Sequence, residues 1–231
     1  MSERVLLVGH GRMGRLVESL AGGFGFEVAG VIGRASAATA VWPSADVAID
    51  FSVAEAVPST MARLAKSGTP VVLGTTGWQG SEAGVRQVAA ERNLGVVAAP
   101  NFAIGVNVFL AVAGHLGALM SAQPDFGAWI HELHHAAKRD APSGTALALE
   151  ARLRSAGYTA DVPIASTRAG SIPGTHTIGF DAASETITLT HQARDRTAFA
   201  RGALVAARWV IGKHGWFTMT DVLKLRTSDR E

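Results

Sequence analysis

A short apolar run, Val5-Leu6-Leu7-Val8, passes directly into Gly9-His10-Gly11-Arg12-Met13-Gly14, and Arg15 to Leu20 continues with the spacing of an amphipathic helix. A strand, a G-x-G-x-x-G turn and a helix in immediate succession leave few options for the fold. An uninterrupted apolar strand belongs inside a parallel sheet. The glycines allow a tight turn, close backbone approach to a pyrophosphate, and close helix–strand packing. The pattern points to dinucleotide binding, although a glycine-rich turn of purely structural purpose has the same spacing.

The next eighty residues keep the same rhythm. Glu27 to Ile32, Val47 to Ser52, Pro70 to Leu73 and Gly95 to Ala99 read as strands, with helices over Pro58 to Lys66 and Ser81 to Arg92. Alternating β and α segments predict a doubly wound sheet. Cofactors of the NAD type usually meet a carboxylate after the second strand, on the ribose 2′-OH. This chain has Gly33-Arg34-Ala35-Ser36 there, and a cation suits a 2′-phosphate, so NADPH is favoured over NADH. Three loops after successive strands, carrying Phe51, Gly74-Thr75-Thr76 and Pro100-Asn101-Phe102, point into the crevice where such a sheet binds its ligand.

The second half differs. Ile104 to Met120 is a long apolar helix suited to bridging two domains. Then comes the densest chemistry in the chain, His131-Glu132-Leu133-His134-His135-Ala136-Ala137-Lys138-Arg139-Asp140-Ala141-Pro142-Ser143-Gly144-Thr145. Ala128-Trp129-Ile130 before it is strand-like, and Pro142 bars a helix through the residue preceding it. Ser143 or Thr145 can cap a helix running to Leu153. The start of that helix offers free N–H groups and a positive dipole end to a carboxylate or phosphate. Lys138 adds a cation, and His134 and His135 alternate faces of an extended chain. His131 to His135 also matches H-E-x-x-H, a zinc-hydrolase signature that works only on a helix. On a strand the two histidines stand ~13 Å apart, so no metal site is expected. Glu185 to His191 alternates as a half-buried strand. His176 and His191 read as ordinary strand positions, and the apolar helix from Thr197 to Ile211 is expected to return to the first domain.

Composition closes off other classes. The chain has 231 residues, no cysteine and a formal charge of +2, without a Lys/Arg run. Disulfides and thiolate metal sites are excluded, a reducing cytoplasm is expected, and nothing marks nucleic-acid binding. No apolar run is long enough to span a membrane, and no signal-peptide pattern is present.

Together these residues resemble the 4-hydroxy-tetrahydrodipicolinate reductase (dihydrodipicolinate reductase) family of diaminopimelate and lysine biosynthesis. The resemblance is carried by Gly11-Arg12-Met13-Gly14, Asp50-Phe51-Ser52, Gly74-Thr75-Thr76-Gly77, Ala99-Pro100-Asn101-Phe102 and the run from Glu132 to Ala146. Thr190-His191-Gln192-Ala193, Arg196, Phe199-Ala200-Arg201-Gly202-Ala203 and Asp221-Val222-Leu223 add to it. It implies a Rossmann-like doubly wound parallel sheet from residues 1–103 and 198–231. A second α+β domain with a mostly open sheet, for substrate binding and oligomerisation, would come from 104–197. It implies NAD(P)H-dependent reduction of a small cyclic dicarboxylate with net loss of water, by a homotetramer. His134 and Lys138 would be catalytic, and His135, Ser143, Gly144, Thr145 and Arg196 would bind substrate. Gly9, His10, Gly11, Arg12, Met13, Gly14, Arg34, Phe51, Gly74, Thr75, Thr76, Ala99, Pro100, Asn101 and Phe102 would hold the cofactor. The chain departs from the family pattern in a glycine turn one residue shorter than in many members, a short segment before Arg168, and Thr175 where members commonly have Glu. A reductase of another small dicarboxylate and a nucleotide-sensing protein of the same fold remain open readings.

Overall fold

The computed structural model describes residues 2–33 and 41–225. They form two compact units, one of Met1–Ile104 with Thr197–Glu231 and one of Gly105–Arg196.

The first unit is built on β1 (Glu3–Val8), β2 (Phe26–Ile32), β3 (Val47–Asp50), β4 (Val71–Leu73), β5 (Gly95–Ala98) and β10 (Gly215–Phe217), in the spatial order β2-β1-β3-β4-β5-β10. Every pairing is parallel. The chain leaves β1 toward β2 on one side and then crosses to β3 on the other, so the strand order reverses between β1 and β3, where such sheets bind ligands. Successive β1 side chains go to opposite faces, as strand geometry requires. Val5 and Leu7 join a core with α1 (Arg12–Ala21) and α6 (Thr197–Val210). Leu6 and Val8 join a second core with α2 (Val57–Ser67) and α3 (Glu82–Glu91). As expected from its apolar sequence, α6 lies in the first unit, burying Ala200, Ala203, Leu204, Ala207 and Val210. Gly202 makes its approach possible, because a Cβ there would lie 1.7 Å from the Phe102 carbonyl oxygen. The short edge strand β10 is an addition to the expected strands; Gly-Trp-Phe carries no periodic signal. The four-residue α7 (Met219–Val222) follows it.

The second unit has the sheet order β7-β6-β8-β9, from β7 (Ile164–Arg168), β6 (Gly127–His134), β8 (Thr175–Asp181) and β9 (Thr186–Gln192). β6 pairs parallel with β7 and antiparallel with β8, which pairs antiparallel with β9. α4 (Ile104–Met120) and α5 (Gly144–Ser155) cover one face over Ile130, Leu149, Leu153, Ile178 and Phe180. On the other face Trp129 lies across Gly179, where a Cβ would meet its ring at 2.2 Å. The alternation of Glu185 to His191 predicts a half-buried strand, but β9 is largely exposed, with Leu189 and His191 partly buried. It is the edge strand, and its side chains that reach the core beneath the helices are the partly buried Leu189 and His191.

Candidate active site

Three glycines of the first turn do three different jobs. Gly9 has φ +92°, and a Cβ there would lie 2.4 Å from the Phe51 carbonyl oxygen. At Gly14 a Cβ would lie 2.0 Å from the Gly9 carbonyl oxygen, so the residue sets how closely α1 packs on the turn. Gly11 faces open space, with nothing within 4 Å of an added Cβ, and stands at the N-cap of α1 with no side chain closing the helix end. A helix start with free N–H groups facing empty space is suited to a pyrophosphate. The space belongs to a cleft of ≈ 540 Å³ lined by Gly9, His10, Gly11, Gly33, Phe51 and Ser52. Arg12 is exposed at the start of α1, and Met13 packs against the core. Arg34, expected to read a 2′-phosphate, lies outside the described residues.

The other expected cofactor residues form the neighbouring strand ends. Phe51 fits against Gly74, where a Cβ would lie 2.2 Å from its ring, and meets Phe102 edge-on at 6.1 Å between ring centres. Phe102 is buried and supports Phe51 from below. Thr76, Ala99 and Pro100 line a smaller cleft of ≈ 150 Å³ with Trp78 and Trp216. Asn101 accepts the N–H of Ala103 and shapes its own turn. Beneath both clefts sits a residue that sequence reasoning passed over. Asp50 is fully buried, and its Oδ1 takes the Ser52 N–H at 2.8 Å and the Thr75 hydroxyl at 2.9 Å, tying two loops together. Burial pushes its carboxyl up, against the pull of the Ser52 and Thr75 hydrogen bonds. On the rim His10 Nε2 is hydrogen-bonded to Glu18 Oε2 at 2.7 Å.

In the second unit β6 sorts the histidine-rich stretch by face. Ala128, Ile130, Glu132 and His134 point into the covered side. His131 points the other way, to the hydroxyl of Thr167 at 3.0 Å, so H-E-x-x-H is a strand pattern with its histidines apart. α5 begins at Gly144, and of the two candidate caps it is Ser143 that serves, accepting the Ala146 N–H at 3.3 Å. The Ser143 hydroxyl is buried and also meets His176 Nε2 at 3.0 Å. Gly144 is exposed and Thr145 partly so, with His135 partly exposed at the end of β6. Lys138 is held by both oxygens of Asp140, at 2.7 and 2.8 Å, which pulls the Asp140 carboxyl down. Arg196 is exposed.

Register across the sheet brings in residues that no local pattern marks. Glu132 stands opposite Ser166 on one side and His176 on the other, and His134 stands opposite Arg168. Glu132 is fully buried. Its Oε1 accepts the Ser166 hydroxyl and an Arg168 N–H, each at 2.7 Å, and the Ser143 N–H at 3.0 Å. Its Oε2 lies 2.6 Å from His134 Nδ1. His176 is not the ordinary strand position its sequence suggests. It is buried, and its ring meets the His134 ring edge-on at 5.0 Å. The covered face holds polar side chains here, and Glu132 Oε1 and the Ser143 hydroxyl link several of them. His191, by contrast, stacks on Phe109 at 5.9 Å between ring centres.

The charges follow from burial and partners. Burial pushes the Glu132 carboxyl up, but hydrogen bonds from Arg168, Ser166 and Ser143 outweigh it and hold it at about 2. Burial pushes His134 down; Glu132 opposes this, while Lys138 and Arg168 add to it. Burial and the neighbouring His134 push His176 down to about 4. At neutral pH an anionic carboxylate therefore sits among neutral imidazoles. Among the described residues, Glu132, His134 and His176 have metal-ligand atoms within 4.8 Å of one another. Of their possible ligand atoms, Glu132 Oε1 is taken up by Ser143, Ser166 and Arg168 and His176 Nε2 by Ser143, so a metal using those two atoms would have to displace these contacts.

Comparison with known proteins agrees with this geometry. The family model for dihydrodipicolinate reductase, N-terminus, matches residues 3–102, and that for its C-terminus matches residues 105–223. A 4-hydroxy-tetrahydrodipicolinate reductase from Acidiphilium cryptum (strain JF-5) is 42% identical over 236 residues, covering 93% of this chain and 94% of the relative. Another from Gluconobacter oxydans (strain 621H) is 44% identical over 197 residues, covering 78% and 77%. Among solved structures, the dipicolinate-bound dihydrodipicolinate reductase from Paenisporosarcina sp. TG-14 superposes with a TM-score of 0.78 at 22% identity, over 94% of this chain and 98% of the other, a likeness of fold. The cleft beside a glycine turn, the histidine–lysine loop and both sequence matches lead to one assignment: the chain belongs to the dihydrodipicolinate reductase family.

Proposed function

We propose that the chain is an NAD(P)H-dependent oxidoreductase that reduces 4-hydroxy-tetrahydrodipicolinate to tetrahydrodipicolinate, with loss of water, in diaminopimelate and lysine biosynthesis. The observation that carries this reading is the family match across both units, together with an intact His134-to-Thr145 run placed at the start of a capped helix. The first unit is the nucleotide-binding domain, with Gly9 to Gly14, Phe51, Gly74 to Thr76 and Ala99 to Phe102 around the cofactor. The second is the substrate-binding and oligomerisation domain.

When bound, the nicotinamide supplies the hydride. The protein's own groups do the rest. The N–H groups of Gly144 and Thr145 at the start of α5 receive a substrate carboxylate, with His135 and Arg196 assisting. Ser143 contributes from inside: its hydroxyl holds the helix start in place. Lys138 is anchored by Asp140, and a second substrate carboxylate competes for the same ammonium. His134 and Lys138 handle the proton required where the ring becomes carbanion-like on reduction. The pathway role and the lack of cysteine support a cytoplasmic setting, and no described helix is long and apolar enough to cross a membrane.

The decisive experiment is NADPH oxidation with substrate generated in place from pyruvate and aspartate semialdehyde by the preceding synthase. Turnover that disappears when the synthase is omitted is the expected result. No turnover with NADPH or NADH, from protein that binds either nucleotide, would sink the reading in favour of another small dicarboxylate or of nucleotide sensing. The preference for NADPH rests on Arg34. Arg34→Ala is expected to weaken NADPH binding at least tenfold more than NADH binding, measured by fluorescence titration; equal losses would remove Arg34 from 2′-phosphate recognition.

A further inference from the structure

The reductase reading gives Glu132 no task, yet no side chain in the second unit is more closely enclosed. It is fully buried on the covered face of β6, two residues before His134. Its two oxygens have separate duties. Oε1 is filled by three donors, from Ser143, Ser166 and Arg168. Oε2 has one polar neighbour in hydrogen-bonding range, His134 Nδ1 at 2.6 Å; His176 Nε2 is 4.0 Å away and meets the Ser143 hydroxyl. The Oε2–Nδ1 approach is off the ideal hydrogen-bond line, but among the described residues neither atom has another hydrogen-bond partner, so the pair satisfies each other or goes unsatisfied. A buried carboxylate left half-unpaired is costly.

On the far side of the imidazole, Gly174 has φ +145°, and a Cβ there would lie 3.1 Å from His134 Nε2. Gly174, just before β8, therefore keeps the Nε2 edge clear of side chain. The ring is gripped at one nitrogen and uncovered at the other.

We propose that Glu132 is the positioning residue for His134: its Oε2 holds the Nδ1 proton and leaves a bare Nε2 at the edge cleared by Gly174. The role of this tautomer in turnover rests on the reading of His134 as a proton-transfer residue, whereas the tautomer itself does not depend on which substrate is bound. A carboxylate at Nδ1 selects one tautomer and stabilises the imidazolium that forms when Nε2 takes a proton, as in other carboxylate–histidine pairs. In this unit the charged and titratable groups around the ring are Glu132 on β6, Lys138 and Asp140 in the following loop, Arg168 on β7 and His176 on β8. Arg168 is the counter-ion that keeps Glu132 anionic with its Oε1 occupied.

An isosteric change tests this sharply. In Glu132→Gln the three donors at the Oε1 position still require an oxygen, so the amide nitrogen must take the Oε2 position and point N–H at His134. Nδ1 then becomes an acceptor and the proton moves to Nε2. The measurement is a long-range ¹H–¹⁵N correlation of the imidazoles in the full-length protein at neutral pH, with His134 assigned from its loss in His134→Gln. The wild type is expected to be protonated at Nδ1 and Glu132→Gln at Nε2. In turnover, Glu132→Gln is expected to lose about 100-fold or more in kcat, with little change in nucleotide KM. The alkaline limb of its kcat/KM profile, which reports loss of the imidazolium proton, should move to lower pH, because the imidazolium has lost its carboxylate. A wild-type His134 protonated at Nε2 overturns the proposal even if the variant fails to fold. Wild-type kcat in a folded Glu132→Gln with a switched tautomer overturns it too. Failure of the wild type to turn over substrate bears on the reductase reading alone, since the tautomer is read without substrate.

Discussion

Gly11 and Gly14 sit in one turn and resist substitution for opposite reasons. At Gly14 an added methyl collides with the backbone of Gly9, so Gly14→Ala should destabilise the first unit by roughly 2 kcal/mol or more, as overpacking does. At Gly11 the same methyl enters empty space. Gly11→Ala should therefore change stability by about 1 kcal/mol or less yet weaken nucleotide binding at least tenfold. Chemical unfolding and fluorescence titration on the two variants separate the effects, and similar stability losses in both would remove the distinction. Lys138→Ala should reduce kcat by about 10²-fold or more while leaving nucleotide affinity within about twofold; a large loss of NADPH binding at normal kcat would sink its role. His176 carries a pH signature. Its pKa falls from 6.5 to about 4 on folding, so the unfolded chain binds the extra proton between those values. Stability is therefore unaffected by this group above pH 6.5 and declines as pH drops toward 4. His176→Gln, which cannot titrate, should show a shallower decline over that window in urea unfolding. Identical slopes would mean that His176 is not held neutral by the fold.

At the scale of elements, α5 is organised by Ser143, whose hydroxyl serves the helix start and His176 together. Ser143→Ala removes a cap worth about 1 kcal/mol and strands a buried imidazole nitrogen at a further ~1–3 kcal/mol. The expected loss of ~2–4 kcal/mol is readable by urea unfolding; a loss below about 1 kcal/mol would show that the hydroxyl does only one of these jobs. These elements also mark how far the sequence could be read. The alternation of β and α, the glycine turn, and the strand-loop-helix around Pro142 are local patterns, and each element formed where its pattern lay. The surroundings of His134 are not local. Ser166 and Arg168 reach Glu132 from 34 and 36 positions away, and His176 arrives on a third strand. Only the pairing register makes them neighbours, and nothing within one strand's pattern specifies which strand it will meet. Period-2 alternation of a strand puts Glu132 on the same face as His134, a local signal hidden by the chance H-E-x-x-H match. β9 misled because alternation reports the two faces of a strand and not whether either is covered.

For the molecule as a whole, the uncovered face of the second sheet invites assembly. Helices cover one side, while Trp129, Thr177, Thr188 and Thr190 line the other. A homotetramer built through these faces is the assembly proposed here. Thr177→Arg would place a charge at the centre of that face, and sedimentation should show smaller species than for the wild type; an unchanged mass would exclude this face as the interface. The first unit has a different peculiarity, since it is made of two stretches of chain with the second unit between them. One side of its sheet is covered largely by α6, which comes off the ribosome only after all of residues 105–196. At about 5–20 residues per second, β1 to β5 must wait for roughly 5–20 s with Val5, Leu7, Val47, Ile49, Val72 and Val97 lacking that cover. The second unit, being continuous, can complete its core during the delay. The nascent chain thus has a built-in interval of apolar exposure, and a holdase chaperone acting on this protein would find its binding site on the α6 side of the first sheet.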